Sequence, residues 1–161
     1  MSNSFVLPFV LKSTAKYVKA GAMREALSLA IVSGRNVILY GPGGHAKSEM
    51  IESVLEAITG CISHTQMCGE GMDEAKLYGG IDLKAVNDVV DPQIRYKTAN
   101  SFLAWDIVVF EELFDAAVSA LKSMKDTMTS GAFRNGEEVV PMRTRLMICA
   151  TNKEPHEVAE L

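Results

Sequence analysis

The segment from Asn36 to Ile58, NVILYGPGGHAKSEMIESVLEAI, restricts the fold more than any other part of the chain. A short apolar run rich in strand formers, Asn36 to Tyr40, leads directly into a glycine-rich loop, Gly41 to Ser48. After Lys47 the apolar residues recur at helical spacing. Strand, glycine loop and helix in that order form a phosphate-binding unit, in which inward backbone N–H groups and the helix N-terminus face an anion. Gly41, Gly43 and Gly44 supply backbone freedom, Lys47 an ammonium for the β- and γ-phosphates, and Ser48 a hydroxyl for magnesium. Only Ala46 departs from G-x-x-x-x-G-K-[ST]. Alanine adds a single methyl and disfavours positive φ, so it is tolerated wherever the local backbone is right-handed or extended. The plain alternative is a glycine turn ahead of a surface lysine; the flanking strand and helix favour the phosphate loop.

The rest of the chain repeats the alternation. MREALSLAIV, Met23 to Val32, has helical spacing and is closed by Ser33-Gly34. Cys61 to Met67 is a second strand candidate, and Asp106 to Phe110, DIVVF, is the near-continuous apolar run of a buried parallel strand. A helix is expected over Asp115 to Ser130. The stretch AFRNGEEVVPM carries a hairpin signal at Asn135-Gly136, and RLMICATN supplies a last buried strand. Cys68 to Trp105 reads as a polar insertion with a short helical patch over Leu83 to Val90. Together these predict an α/β fold with a mostly parallel central sheet.

A chain of 161 residues suits one domain, and 48% hydrophobic with 22% charged residues reads as globular. A formal net charge of −4 gives no general reason to expect nucleic acid or an anionic membrane. Cys61, Cys68 and Cys149 are too scattered for a zinc quartet and odd in number for closed disulfides. They read as reduced thiols of a cytoplasmic protein. No stretch has the pattern of a signal peptide or the length of a bilayer span.

Two further elements carry chemistry. The strand IVVFEEL ends in Glu111 and Glu112, the arrangement by which nucleotide hydrolases support magnesium and polarise the attacking water. Glu111 adds a methylene where most such proteins have aspartate, a difference that contact through water absorbs. A pair of solvated carboxylates opening a helix is the alternative. The strand ICATN ends in Asn152, which by order and spacing lies between the other two strands, against the γ-phosphate and the attacking water, although an asparagine after a strand is also a common turn residue.

These elements in this order resemble the core of a AAA+ ATPase, a P-loop three-layer α/β/α sandwich, and finer features resemble the MoxR-like branch of RavA-like type. GPGGHAKS is close to the branch's GPPGxAKS, which makes Ala46 a family variant. DEAKLYGGIDLKAVND is similar to the family's helix-2 insert, FLAWDIVVFEEL to its approach to the second acidic motif, and TMTSGAFRNGEEVVPMRTRLMICATNKEP to the hairpin before sensor 1 and sensor 1 itself. The resemblance implies that Gly41 to Glu49 (Gly41, Pro42, Gly43, Gly44, His45, Ala46, Lys47, Ser48 and Glu49) bind Mg-ATP. Ser48 and Glu111 then hold magnesium, while Glu112, Asn152 and Lys47 serve catalysis. It also implies a hexameric ring, a chaperone-like remodelling role and a von Willebrand factor A-type partner. The family continues past sensor 1 with an arginine finger, a fifth strand and a helical lid. Residues 1–161 are therefore expected to be a single AAA+ core, C-terminally truncated and slow or inactive alone. The rival readings are a nucleotide-binding regulatory module with little turnover and a DNA initiator or helicase loader, the latter disfavoured by net acidity.

His45 reads as a spectator within the loop, and His64 and Cys68 as core or loop residues, since no zinc-spaced ligand set accompanies them. Arg134, Arg143 and Arg145 flank the hairpin and suit a pore, a neighbour's phosphate or plain solvation. Met67 and Met72 border the insertion. The insert around Leu77 to Asp91 and the hairpin around Arg134 to Pro141 are the expected sites of ring or client contacts.

Overall fold

The computed structural model describes residues 5–135, 138–154 and 156–157. Its order is α1 (Pro8–Ser13), α2 (Gly21–Ser33), β1 (Val37–Tyr40), α3 (Lys47–Glu56), β2 (Ser63–Met67), α4 (Glu74–Tyr78), α5 (Leu83–Val86), β3 (Ile107–Glu111), α6 (Val118–Ser130), β4 (Ala132–Asn135), β5 (Glu138–Pro141) and β6 (Leu146–Thr151). The main sheet has four strands in the order β1-β6-β3-β2, all parallel. The expected α/β architecture with a parallel central sheet is what the chain adopts.

The central strands explain themselves by composition. Every residue of β6 is buried, as are the first four of β3, because both faces of an inner parallel strand meet covering elements. Successive side chains alternate between the two sides. Val109, Ile148, Ala150 and Leu39 face α1, α2 and α3, packing on Val10, Leu27, Met50, Ile51 and Val54. Val108, Phe110, Met147 and Cys149 face the other way, onto Met124 of α6 and the aromatic group of Tyr78, Phe102 and Phe133. Each large side chain so buried contributes roughly 1.5–3 kcal/mol. The outer strands read differently. β2, SHTQM, is polar and half exposed, which suits an edge.

Several expectations need adjusting. Sequence spacing missed α1, although Pro8 stands at its start, where the ring's fixed φ and missing N–H cost nothing. The helix expected from Asp115 begins at Val118. Leu113–Asp115 forms a 3₁₀ turn and Ala116 is extended. The helical patch expected to Val90 stops at Val86, because Asp88 Oδ1 accepts from Val90 N (2.8 Å) and Asp91 N (3.1 Å) and turns the chain instead. The insertion also holds α4, capped by Asp73 Oδ1 accepting from Lys76 N at 2.9 Å. At its base Gly79, with φ 96°, lies where an added Cβ would meet Lys97 O at 2.1 Å. An isolated antiparallel bridge, Ile81 to Tyr96, closes the same stem. Its far end presents Val89 and Val90, 98% and 93% exposed. The hairpin is present as β4 paired with β5 from Ala132↔Pro141 to Asn135↔Glu138; Gly136 of the expected turn lies outside the described residues.

Candidate nucleotide site

The glycine loop leaves β1 at Gly41, whose N–H donates to Thr151 O at 3.1 Å. Gly44 has φ 77°, and Ala46 has φ 55° and ψ 27°. Ala46, which caps α3, is therefore left-handed and not in the right-handed or extended backbone where alanine is readily tolerated. For alanine this conformation costs on the order of 1–2 kcal/mol, because Cβ crowds the following carbonyl. The loop holds it with local bonds. Lys47 Nζ donates to Gly41 O at 2.6 Å and Pro42 O at 3.0 Å, with only 8% of the residue exposed. His45 Nδ1 lies 3.1 Å from Gly43 O, so this side chain braces the loop from outside. Lys47 is thus a buried ammonium satisfied by two neutral carbonyls, and an anion in the loop offers it a stronger, charge-assisted partner.

The first bond of the following helix runs from Met50 N to Ala46 O at 2.9 Å. The N–H groups of Lys47, Ser48 and Glu49 precede it and carry the positive end of the helix dipole. Ser48 is exposed in this first turn. The Glu49 carboxylate is turned aside to accept from Lys16 Nζ at 2.6 Å, a bond that holds its carboxyl below the usual range. What Glu49 offers the loop is its backbone.

The acidic pair and Asn152 stand on the next two strands. Glu112 N donates to Ala150 O at 2.8 Å, and Glu111 is in register with Ala150. The ends of β1, β6 and β3 are therefore consecutive, with the β6 terminus in the middle. At about 4.8 Å between strands, Leu39 and Glu111, both in register with Ala150, lie roughly 10 Å apart, and Gly41 stands two residues beyond Leu39. Glu112 is also left-handed, at φ 53° and ψ 41°. Its Oε2 accepts from Asn152 N at 3.2 Å, so carboxylate and strand end are joined.

Beside the loop lies a cleft of about 680 Å³, within the usual range for small-molecule sites. Its walls include Tyr40, Lys47 and Met50 on one side and Tyr17, Lys19 and Met23 on the other. Glu111, Glu112 and Asn152 are not among its walls; they stand on the strand ends beyond the loop. The strap from Thr14 to Ala20 is fastened at Thr14 and at Tyr17. Arg24 Nη2 donates to Thr14 O (2.7 Å) and Tyr17 O (2.8 Å), Arg24 Nε donates to Thr14 Oγ1 (2.8 Å), and the Tyr17 hydroxyl lies 3.3 Å from Ser53 Oγ. Sequence reading missed this strap, because its place depends on bonds to residues far along the chain.

Among the other candidates, His64 stacks on Trp105 with ring centroids 5.0 Å apart. Cys68 is buried, and no group of three potential ligands gathers anywhere among the described residues. Arg143 pairs with Asp106 through two bonds, Nε to Oδ1 (2.9 Å) and Nη2 to Oδ2 (3.2 Å), which gives it a structural role. Arg134 and Arg145 are exposed. Met72 is core, whereas Met67 is exposed on the edge strand β2. No helix among the described residues is long and apolar enough to cross a membrane.

Fold and site together define a phosphate-loop α/β module, and comparison with known proteins agrees. The family model described as the MoxR domain in the MoxR-vWA-beta-propeller ternary systems matches residues 7–160, and the chain belongs to that MoxR family of AAA+ ATPase modules. The fold is similar to a crystal structure from Cytophaga hutchinsonii of a protein provisionally named an ATPase. The TM-score is 0.64 at 14% identity, covering 94% of this chain and 47% of the other. The chain thus spans about half the length of that protein.

Proposed function

We propose that this chain is the single nucleotide-binding core of a longer AAA+ protein, one that binds Mg-ATP and hydrolyses it within an oligomeric, chaperone-like remodelling machine. The observation that carries the proposal is the adjacency of three strand ends: the loop at Gly41 bonded to Thr151, then Asn152, then Glu112 bonded to both Ala150 and Asn152. In this reading Lys47 and the N–H groups of Gly43 to Glu49 hold the phosphates. Asn152 lies against the γ-phosphate, and Glu112 orients and accepts a proton from the attacking water. Magnesium, where bound with the nucleotide, neutralises charge on the phosphate oxygens, and Ser48 and Glu111 are the residues that would hold it. The donor set suits such an ion: magnesium uses one or two protein carboxylates plus phosphates, and here an exposed hydroxyl, Ser48, and a partly exposed carboxylate, Glu111, offer hard oxygen donors. The strap and the cleft beside it suit the nucleoside.

The family's description supports a von Willebrand factor A-type partner. Ring formation, hexameric as the sequence resemblance implies, and a cytoplasmic setting belong to the same reading. The exposed Val89-Val90 end of the insert and the β4-β5 hairpin are the surfaces we assign to ring or client contacts. Net acidity speaks against a DNA initiator or helicase loader.

A second reading, a nucleotide-binding regulatory module with little turnover, is favoured by Glu111, whose extra methylene enters a site where magnesium geometry is strict. Glu112→Gln separates the two. For an ATPase, turnover falls about 100-fold or more while ATP is retained; for a regulatory module, turnover is negligible before the substitution and unchanged after it.

A further inference from the structure

Lys153 follows Asn152 directly, yet its side chain turns away from the loop and crosses to the neighbouring strand end. Nζ donates to Phe114 O at 2.7 Å and pairs with Asp115 Oδ1 at 2.8 Å. Both partners lie in the 3₁₀ turn that begins after Glu112, and Asp115 N closes that turn on Glu112 O at 2.9 Å. The two charged side chains are about two-thirds buried, at 34% and 37% exposed, so the pair is shielded more than a surface bridge.

Glu112 needs such support. A left-handed glutamate is strained by roughly 1–2 kcal/mol, and strained residues persist only where their surroundings over-determine them. Three contacts do so here: Glu112 N to Ala150 O, Asn152 N to Glu112 Oε2, and the Lys153 bridge to Phe114 and Asp115. The first two use groups of Glu112 itself. The third fixes the turn leaving it, and ties that turn to the residue following Asn152.

We infer that Lys153 is a positioning residue that locks the Glu112 turn to the Asn152 strand end, so that both face the terminal phosphate in one fixed geometry. Its ammonium is committed to Phe114 and Asp115 and is not itself a phosphate ligand. The inference rests on the proposed nucleotide reading, and it concerns only what distinguishes a triphosphate from a diphosphate, since Lys47 and the loop hold the phosphates common to both.

The test compares dissociation constants for Mg-ATP and Mg-ADP in the wild-type chain, Lys153→Ala, Lys153→Arg and Asp115→Asn. Lys153→Ala is expected to leave ADP binding within about twofold and to weaken ATP binding about fivefold or more, a selective loss that a general loosening of the fold would not produce. Lys153→Arg, which keeps the charge and two donors, should restore most of the discrimination, and Asp115→Asn should fall between. An unchanged ATP-to-ADP ratio in Lys153→Ala, or a wild-type ratio near one, overturns the inference and leaves the loop assignment standing. A wild-type chain that binds neither nucleotide overturns the assignment of the site, and the inference with it.

Discussion

Asn152 N donates to Oε2 of Glu112 at 3.2 Å, joining the ends of two adjacent parallel strands through one carboxylate. The bond fixes one oxygen of Glu112 and leaves the other for a water, the arrangement a positioned general base needs. It also makes the Glu112→Gln comparison informative. Glutamine keeps an acceptor for Asn152 N, so the strand ends stay joined while the basic oxygen is lost.

Replacing Ala46 with glycine should stabilise the chain. The left-handed backbone at φ 55° strains alanine but not glycine, and relief of that strain exceeds the added freedom of glycine in the unfolded chain. A gain of about 1 kcal/mol, seen as a rise in melting temperature of about 2–4 °C, is the expected result of thermal melting. No change, or a fall, would mean that the loop does not strain this residue.

Acid should weaken the structure through Asp106. Arg143, and then the Ile62 N–H at 2.9 Å, hold its carboxyl below the ordinary value of 3.8. A carboxyl depressed in the folded state contributes stability that is present above the unfolded value and is lost as pH falls through the folded one. Melting profiles from neutral pH to below pH 4 should therefore fall more steeply for the wild type than for Asp106→Asn. Parallel profiles would remove the pair from the acid response.

The three thiols should separate cleanly in a modification experiment at mildly alkaline pH. Cys61 is exposed, while burial pushes Cys68 up to about 11 and Cys149 up to about 12. Since the thiolate is the reactive form, a disulfide reagent should consume one thiol per chain rapidly and the other two only on unfolding. Rapid reaction of all three in the folded chain would contradict the packing around β6.

Legibility in the sequence follows burial. β3 and β6 were readable because inner parallel strands need unbroken apolar runs. β1 was readable because a short apolar run leads straight into the glycine loop although it lies at the sheet's edge, and α3 because its apolar face meets the sheet at Met50, Ile51 and Val54. The loop residues were readable because phosphate chemistry demands glycine, lysine and hydroxyl at fixed spacing. The backbone signs at Ala46 and Glu112 were not, since positive φ in a residue other than glycine is imposed by the closure of the structure around it. The strap held by Arg24 and the Lys153 bridge were invisible for a related reason: bonds between residues 7 to 39 positions apart leave no periodic trace. The end of α5 was legible in principle, in the Asp88 turn that halts it, but its apolar spacing pointed the other way.

The most direct test of the central claim is a titration of the chain with Mg-ATP beside Lys47→Ala, read by calorimetry. Lys47 has only the carbonyls of Gly41 and Pro42 as partners among the described residues, and a charge-assisted bond to phosphate is worth about 1.5–3 kcal/mol. Saturable binding by the wild type, weakened at least about tenfold by Lys47→Ala, is the predicted result. Absence of binding by the wild type, or equal binding by both chains, would contradict the assignment of Gly41 to Ser48 as a phosphate loop.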